Sequence, residues 1–387
     1  MNSFTYFSPT KLVFGRDAVE QLNGLIDDKH KKILLHYGGG SIKRTGLYGR
    51  VIKILKDRKL EIFELSGVEP NPKLSLVRRG IELCIRNEIS FILAVGGGSV
   101  IDSAKAIAIG ALYDGDIWEC FLDESKVKAA LPVGVILTLP ATGSEASAST
   151  VITNEEGMLK RSLDSDYIRP EFAILNPELT LTLPDKLTFA GITDIISHVL
   201  ERYFTPTENV DLTDHLCEAT LRSVMENAYK LIEDPNDYNA RAEIMLSGTI
   251  AHCGILGLGR REDWASHRIG HEITALYGTT HGVTLSIVFP SWMKYVYKEK
   301  IDRFVRFAVK VFDVNAGGKK DEEIALEGIA KFEDFLKDIG MPVRLSEIGI
   351  TTEHFELMAE KCTSGGSVGS FKELNKEDVI NILELAL

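Results

Sequence analysis

The chain has 387 residues, a net charge of −12, and ordinary globular composition with 44% hydrophobic and 26% charged residues. That length predicts roughly two domains of about 100–200 residues each, with enough chain to bury two cores. The acidic balance, with no basic stripe, argues against non-specific nucleic-acid binding and against docking on anionic membranes. No apolar run is long enough to span a bilayer. The segment MNSFTYFSPTKLVFG lacks a basic stretch followed by an apolar one, so no secretory signal is expected. Five scattered cysteines, Cys84, Cys120, Cys217, Cys253 and Cys362, with no CxxC pair, point to a reduced, cytoplasmic protein.

The first half alternates strands and helices. KKILLHYGGGS reads as a strand entering a glycine turn, and LYGRVIKILKDRKL follows with helical spacing. EIFELSG, SFILAVGGGS, PVGVILTLP and EFAILNP are further strands; LSLVRRGIELCIRNE and VIDSAKAIAIGALY are helices. This rhythm predicts a parallel sheet with right-handed crossovers. After LTLPDKL the texture changes to long amphipathic stretches such as DHLCEATLRSVMENAYKLIED and EEIALEGIAKFEDFLKDIG. The expected plan is an α/β domain over residues 1–183 and a helical domain over 184–387. With no polar linker between them, a cleft at their junction is the expected binding site.

GGGS occurs twice, at Gly38–Ser41 and Gly96–Ser99, each after an apolar strand. Such a turn lets a phosphate approach the backbone, and the N–H groups of the following helix favour its charge. Ser99 can cap the second helix and donate to a phosphate oxygen, and Asp102 stands one turn further on. The spacing is not the standard dinucleotide fingerprint, because Ile101 occupies the place of the third glycine. TLPATGSEAS adds the hydroxyls Thr138, Thr142 and Ser144, and Thr142 with Glu145 also fits a capped helix start.

The helical half carries GITDIISHVLERYF, in which Asp194 and His198 lie four apart and share a helix face. His267 in DWASHRIGHEI and His281 in YGTTHGVTLSIVF can close a site from two further helices. One aspartate and three histidines without cysteine suit a catalytic Fe²⁺ or Zn²⁺ with a position open to substrate. His271, four after His267, is expected as a polar group near substrate that passes a proton. His252 reads as a core residue, His30, His215 and His354 as surface residues, and Trp264 and Phe204 as pocket or core.

Together FSPTKLVFG, YGGGSIKRTGLYG, GVEPNP, AVGGGSVIDSAKAIA, TLPATGSEAS, GITDIISHVLERYF and HRIGHEI with HGVTLSIVFP resemble the iron-containing (group III) alcohol dehydrogenase family, in its butanol dehydrogenase branch. The resemblance runs nearly the whole chain. It implies an N-terminal dinucleotide-binding domain with a parallel sheet and an all-helical metal-binding domain, an architecture shared with dehydroquinate synthase. It places the metal on Asp194, His198, His267 and His281, and the pyrophosphate at Gly97, Gly98 and Ser99 with Asp102 nearby. It adds Asn71, Thr138, Thr142, Lys160 and Leu179 as cofactor contacts. The polar surroundings of Lys160 would by themselves read as surface.

The implied activity is hydride transfer between NAD(P)(H) and a small primary alcohol or aldehyde, such as butanol or butanal, in a homodimer. Fe²⁺ is the implied metal, with Zn²⁺ or Ni²⁺ able to replace it because affinity alone does not favour iron. Gly38, Gly39, Gly40 and Ser41 carry no carboxylate to repel a 2′-phosphate, and Lys43 and Arg44 follow, so NADP(H) is expected to be preferred and NAD(H) accepted. The alternative is a 3-dehydroquinate synthase-like lyase. Its acidic substrate would need a basic cluster, where the ligand helices offer only Arg202 and Arg268.

Overall fold

The computed structural model describes residues 1–387, which divide into two compact units. Phe7–Leu183 form the α/β unit. Its elements are β1 (Lys11–Phe14), β2 (Lys32–Gly38), α1 (Ser41–Arg44), α2 (Leu47–Asp57), β3 (Glu61–Val68), α3 (Leu74–Asn87), β4 (Phe91–Gly97), α4 (Gly98–Gly110), α5 (Trp118–Leu122), β5 (Val133–Leu139), β6 (Ser149–Asn154), β7 (Leu159–Asp164) and β8 (Phe172–Leu175). Six strands form one sheet in the order β1-β8-β5-β4-β2-β3, and all pairs are parallel. The central strand β4 is buried from Phe91 to Gly96, as expected of a strand covered on both faces, which therefore reads as an unbroken apolar run.

From β2 the chain leaves toward β3, and from β4 it leaves the opposite way, toward β5. The neighbouring carboxyl ends of β2 and β4 therefore flank the point where strand order reverses, the usual ligand crevice of such sheets. Both GGGS turns stand there.

Three features depart from expectation. An antiparallel hairpin of β6 and β7 lies outside the main sheet, and it contains Lys160, which is buried rather than on the surface. Its strand LKRSLD carries too many polar residues to announce itself by apolar alternation. The capping box at Thr142 and Glu145 starts no helix. Residues 141–147 form a turn that leads into β6, and Thr142 Oγ1 accepts from the Ser144 N–H at 3.2 Å. His30 is buried, with Nδ1 3.1 Å from Ser90 Oγ, rather than on the surface.

The helical unit comprises Met1–Tyr6 and Pro184–Leu387. The first six residues thus pack with the helices and not with the expected 1–183 domain. Met1 donates its amino group to the Glu208 carbonyl at 3.0 Å, and the Asn2 N–H donates to the Gly259 carbonyl at 2.7 Å. The unit contains α6 (Asp185–Tyr203), α7 (Asp211–Glu233), α8 (Tyr238–His252), α9 (Ala265–Tyr277), α10 (His281–Val296), α11 (Ile301–Phe312), α12 (Asp321–Asp338), α13 (Phe355–Cys362) and α14 (Lys376–Leu385). Phe204, Phe304, Phe307, Trp292 and Phe371 pack together in its core, Phe204 stacked on Phe304 and edge to face with Phe307, and Trp292 edge to face with Phe371, so Phe204 is core. No helix is long and apolar enough to cross a membrane.

Candidate metal centre and dinucleotide turns

Asp194 and His198 project from one face of α6, His267 from the first turn of α9, and His281 from the first position of α10. Glycines let these helices approach. A Cβ at Gly282 would run into the Ala190 carbonyl of α6, and one at Gly270 would lie 2.8 Å from Thr284 Oγ1. The glycines beside the ligands thus set the α6–α10 and α9–α10 distances.

Around Asp194 Oδ1, the Nε2 atoms of His198, His281 and His267 lie at 3.4, 3.7 and 3.8 Å. A four-coordinate ion with ligands at about 2.1 Å holds its ligand atoms about 3.4 Å apart. The donor set fits such an ion. Asp194, His267 and His281 bring ligand atoms within 4.8 Å of one another; His198 joins this trio through Asp194. Asp194 Oδ1 and His267 Nε2 are buried without hydrogen-bond partners, an arrangement that is costly unless a further group engages them.

Each buried imidazole is also held from behind. His267 Nδ1 lies 2.7 Å from Glu201 Oε1, and its backbone N–H donates to the same oxygen at 3.0 Å. The other Glu201 oxygen accepts from the Trp264 N–H at 2.6 Å. Glu201, on α6, thereby caps the N-terminus of α9, where Trp264 adopts a left-handed φ of 68°. A carboxylate behind a ligating histidine fixes its tautomer and raises its basicity. His198 Nδ1 lies 2.9 Å from His252 Nδ1. The Trp264 ring packs 5.7 Å from His198 and 5.1 Å from His267.

Burial holds His198 well below the usual imidazole range, and His252, His267, Arg202 and His281 push the same way, so it presents a neutral ring. Burial also opposes charge on His267, yet Asp194 and Glu201 outweigh it and raise its pKa. The carboxylates that favour a proton on His267 equally favour a bound cation. His271 is half-buried, with its ring 5.3 Å from that of His281.

In the α/β unit, β4 ends in Gly96-Gly97-Gly98 and α4 starts at once. A Cβ on Gly98 would lie 2.5 Å from Thr142 side-chain atoms, one on Gly97 3.1 Å from Leu139 Cβ, and one on Gly96 2.5 Å from Val100 Cγ2. At the first turn Gly40 has φ 106° and opens the four-residue helix α1 at Ser41, while a Cβ on Gly39 would meet nothing. Thr138 and Thr142 are half-buried at the end of the adjoining strand β5.

Asp102 is already engaged. It accepts from Ser144 Oγ at 2.6 Å and from the Val151 N–H at 3.3 Å, and burial raises its pKa to about 6. Asn71, at φ 59°, accepts from Lys160 Nζ at 3.0 Å, so two residues chosen through the family resemblance meet each other. Leu179 packs on the sheet core.

Four contributors escape sequence reasoning. Glu201 had a legible signal, since it lies seven residues past Asp194 on the same helical face. His252 had none beyond its residue type. Lys105 is fully buried in α4 and donates to the carbonyls of Ser147 and Ser149 at 2.9 and 2.8 Å; burial lowers its pKa to about 8. Glu64 on β3 accepts from the hydroxyls of Tyr37 and Tyr48, whose rings lie 5.2 and 4.7 Å from Lys43 Nζ.

A doubly wound unit with glycine turns at its switch point and a helical unit carrying an Asp/His₃ cluster are the parts expected of an enzyme that uses a nucleotide and a metal ion. Comparison with known proteins agrees. Residues 9–177 match the family described as iron-containing alcohol dehydrogenase, and residues 188–387 match the C-terminal domain of the same family. A probable NADH-dependent butanol dehydrogenase 1 of Bacillus subtilis is 48% identical over the full length of both chains. An NADPH-dependent aldehyde reductase of Escherichia coli is 34% identical over 95% of this chain and 94% of its own. The crystal structure of NADH-dependent butanol dehydrogenase A from Thermotoga maritima has a TM-score of 0.96 at 42% identity, covering 100% of this chain and 99% of that one. The chain belongs to the iron-containing alcohol dehydrogenase family. It is a dehydrogenase acting between alcohol and aldehyde, and the lyase alternative gives way.

Proposed function

We propose that this enzyme interconverts small primary alcohols and aldehydes, of about butanol size, with a divalent ion on Asp194, His198, His267 and His281. The observation that carries the reading is the convergence of those ligand atoms around Asp194 Oδ1 at ion-compatible spacing. When bound, the ion supplies a Lewis acid that polarises the substrate oxygen, and the nicotinamide supplies or accepts the hydride.

The chain's own groups do the rest. Asp194 contributes one negative charge, which moderates the electrophilicity of the site relative to an all-histidine set. Glu201 orients His267. His271, beside His281, passes the alcohol proton to or from solvent. In the 1–183 region the N–H groups of Gly97, Gly98 and Ser99 receive the pyrophosphate at the start of α4. Gly38 to Ser41, Thr138 and Thr142 line the rest of the dinucleotide, with Asn71, Lys160, Leu179 and Asp102 as further contacts. Residues 184–387 carry the metal. Fe²⁺ is the proposed ion, with Zn²⁺ or Ni²⁺ as substitutes.

Both nucleotides are accepted in this reading. The carboxylate-free turn supports NADP(H). Against a strong preference, Lys43 is committed to Tyr37 and Tyr48 over Glu64, and the Bacillus and Thermotoga relatives are named for NADH. Five cysteines, none joined in a disulfide, fit a reducing, cytoplasmic setting. The sheet-edge strand β1, with Leu12 and Phe14 exposed, is the proposed contact of a homodimer.

The test is a panel of C2 to C6 aldehydes with NADH and NADPH after reconstitution with Fe²⁺ or Zn²⁺. Aldehyde-dependent, metal-dependent oxidation of the nucleotide is expected; turnover that survives metal removal refutes the scheme. A KM for NADPH far above that for NADH removes any NADP(H) preference.

A further inference from the structure

Of the two fully buried imidazoles at the metal centre, one is backed by a carboxylate and the other by a second imidazole. We propose that His252, the last residue of α8, is a positioning residue that orients His198 and sets its tautomer as a metal ligand. The inference rests on the metal reading given above.

His198 turns Nε2 toward Asp194 Oδ1, 3.4 Å away. A neutral imidazole that offers Nε2 as a ligand carries its proton on Nδ1. That Nδ1 lies 2.9 Å from His252 Nδ1, so His198 donates and His252 accepts, with the His252 proton on Nε2. The two rings meet edge to face, with centroids 4.3 Å apart and planes at 64°. Trp264 packs against both, 5.7 Å from His198 and 5.5 Å from His252, which fixes the pair from a third element. Arg202 donates to the His198 carbonyl at 2.8 Å; this holds the backbone of α6 and leaves the ring torsion to His252.

A space-filling role at this position would be met by any side chain of similar volume. The positioning role needs an acceptor where Nδ1 stands. The two buried histidine ligands, His198 and His267, therefore differ in their support. His267 is backed by the anion Glu201 and is the stronger donor, while His198 is backed by a neutral acceptor and depends on its geometry.

The experiment compares the unaltered chain with His252→Leu, which keeps bulk and removes the acceptor, and His252→Asn, whose Oδ1 takes the place of Nδ1. Zn²⁺ affinity is measured by chelator competition. The ligand-field spectrum is recorded on the Co²⁺-loaded protein, and thermal unfolding on the metal-stripped protein. Expected results are a Zn²⁺ affinity about 10-fold lower and a shifted Co²⁺ spectrum in His252→Leu. His252→Asn should return both toward the original, with little difference among the three metal-stripped proteins. Unchanged affinity and spectrum in His252→Leu overturn the proposal. Equal losses in both variants that follow a lowered unfolding temperature of the stripped protein also overturn it, in favour of packing alone. If the unaltered chain binds no stoichiometric Zn²⁺ that Asp194→Ala abolishes, the metal site itself falls, and the inference with it.

Discussion

The α/β unit offers its proposed ligand backbone amides at Gly97, Gly98 and Ser99, whereas the helical unit offers side-chain atoms of Asp194, His198, His267 and His281. The two rest on different supports. The amides are aimed by the turn itself, whose only requirement is that no Cβ intrude, and each glycine of that turn is crowded by Thr142, Leu139 or Val100. The imidazoles are aimed by other side chains, Glu201 behind His267 and His252 behind His198. A backbone site should therefore fail through added volume, and a side-chain site through a lost partner several residues away.

The largest expected effect is on the ligands. His267→Ala should abolish metal retention, measured by elemental analysis, and lower kcat by about 10³-fold or more, since a Lewis acid contributes several kcal/mol to such a barrier. Metal-free turnover by this variant would break the comparison on the helical side. Gly98→Val should raise the KM for the nucleotide about 10- to 100-fold, because the added side chain meets Thr142 and overpacking of this kind costs about 1–3 kcal/mol. Metal content should stay at one per chain. If metal and nucleotide binding fell together, the two supports would not be separable. Glu201→Gln loses the charge and keeps only one of the two oxygens that serve the Trp264 and His267 N–H groups, and should weaken Zn²⁺ binding about 10-fold or more in a chelator competition.

The smallest effect concerns pH. Asp102 has its pKa raised by burial to about 6, above the usual carboxylate value of about 4. Between those values the folded chain binds more protons than the unfolded one, so this group lowers stability as pH rises from 4 to 6. Asp102→Asn should remove that contribution, changing the stability difference from the unaltered chain by on the order of 1 kcal/mol across the window in urea unfolding. A difference independent of pH would show that Asp102 does not titrate there.

The strands β2, β4, β5 and β8 were legible because each is a short apolar run ended by glycine or proline, and β3 because EIFEL, rich in β-forming residues, runs into a glycine. The ligands Asp194 and His198 were legible because four-residue spacing puts them on one face. The β6–β7 hairpin escaped because its alternation is broken by Lys160, Arg161 and Ser162, and Lys160 looked exposed while its partner Asn71 stands 89 residues earlier in the chain. Thr142 and Glu145 looked like a helix start because local chemistry permits a cap; Ser144 is drawn to Asp102 across the sheet unit instead, and the chain turns.

By itself, then, the amino-acid order determined the alternation of strands and helices, the two glycine turns and the donor set of the metal centre, because periodicity and glycine freedom act over a few residues. Tertiary structure alone decided what stands behind the ligands, what Lys160 and Lys105 are bonded to, and that the first six residues belong with the helices. Those outcomes depend on which distant groups share one buried volume, where an unpaired polar atom is costly and every partner must be found across the fold.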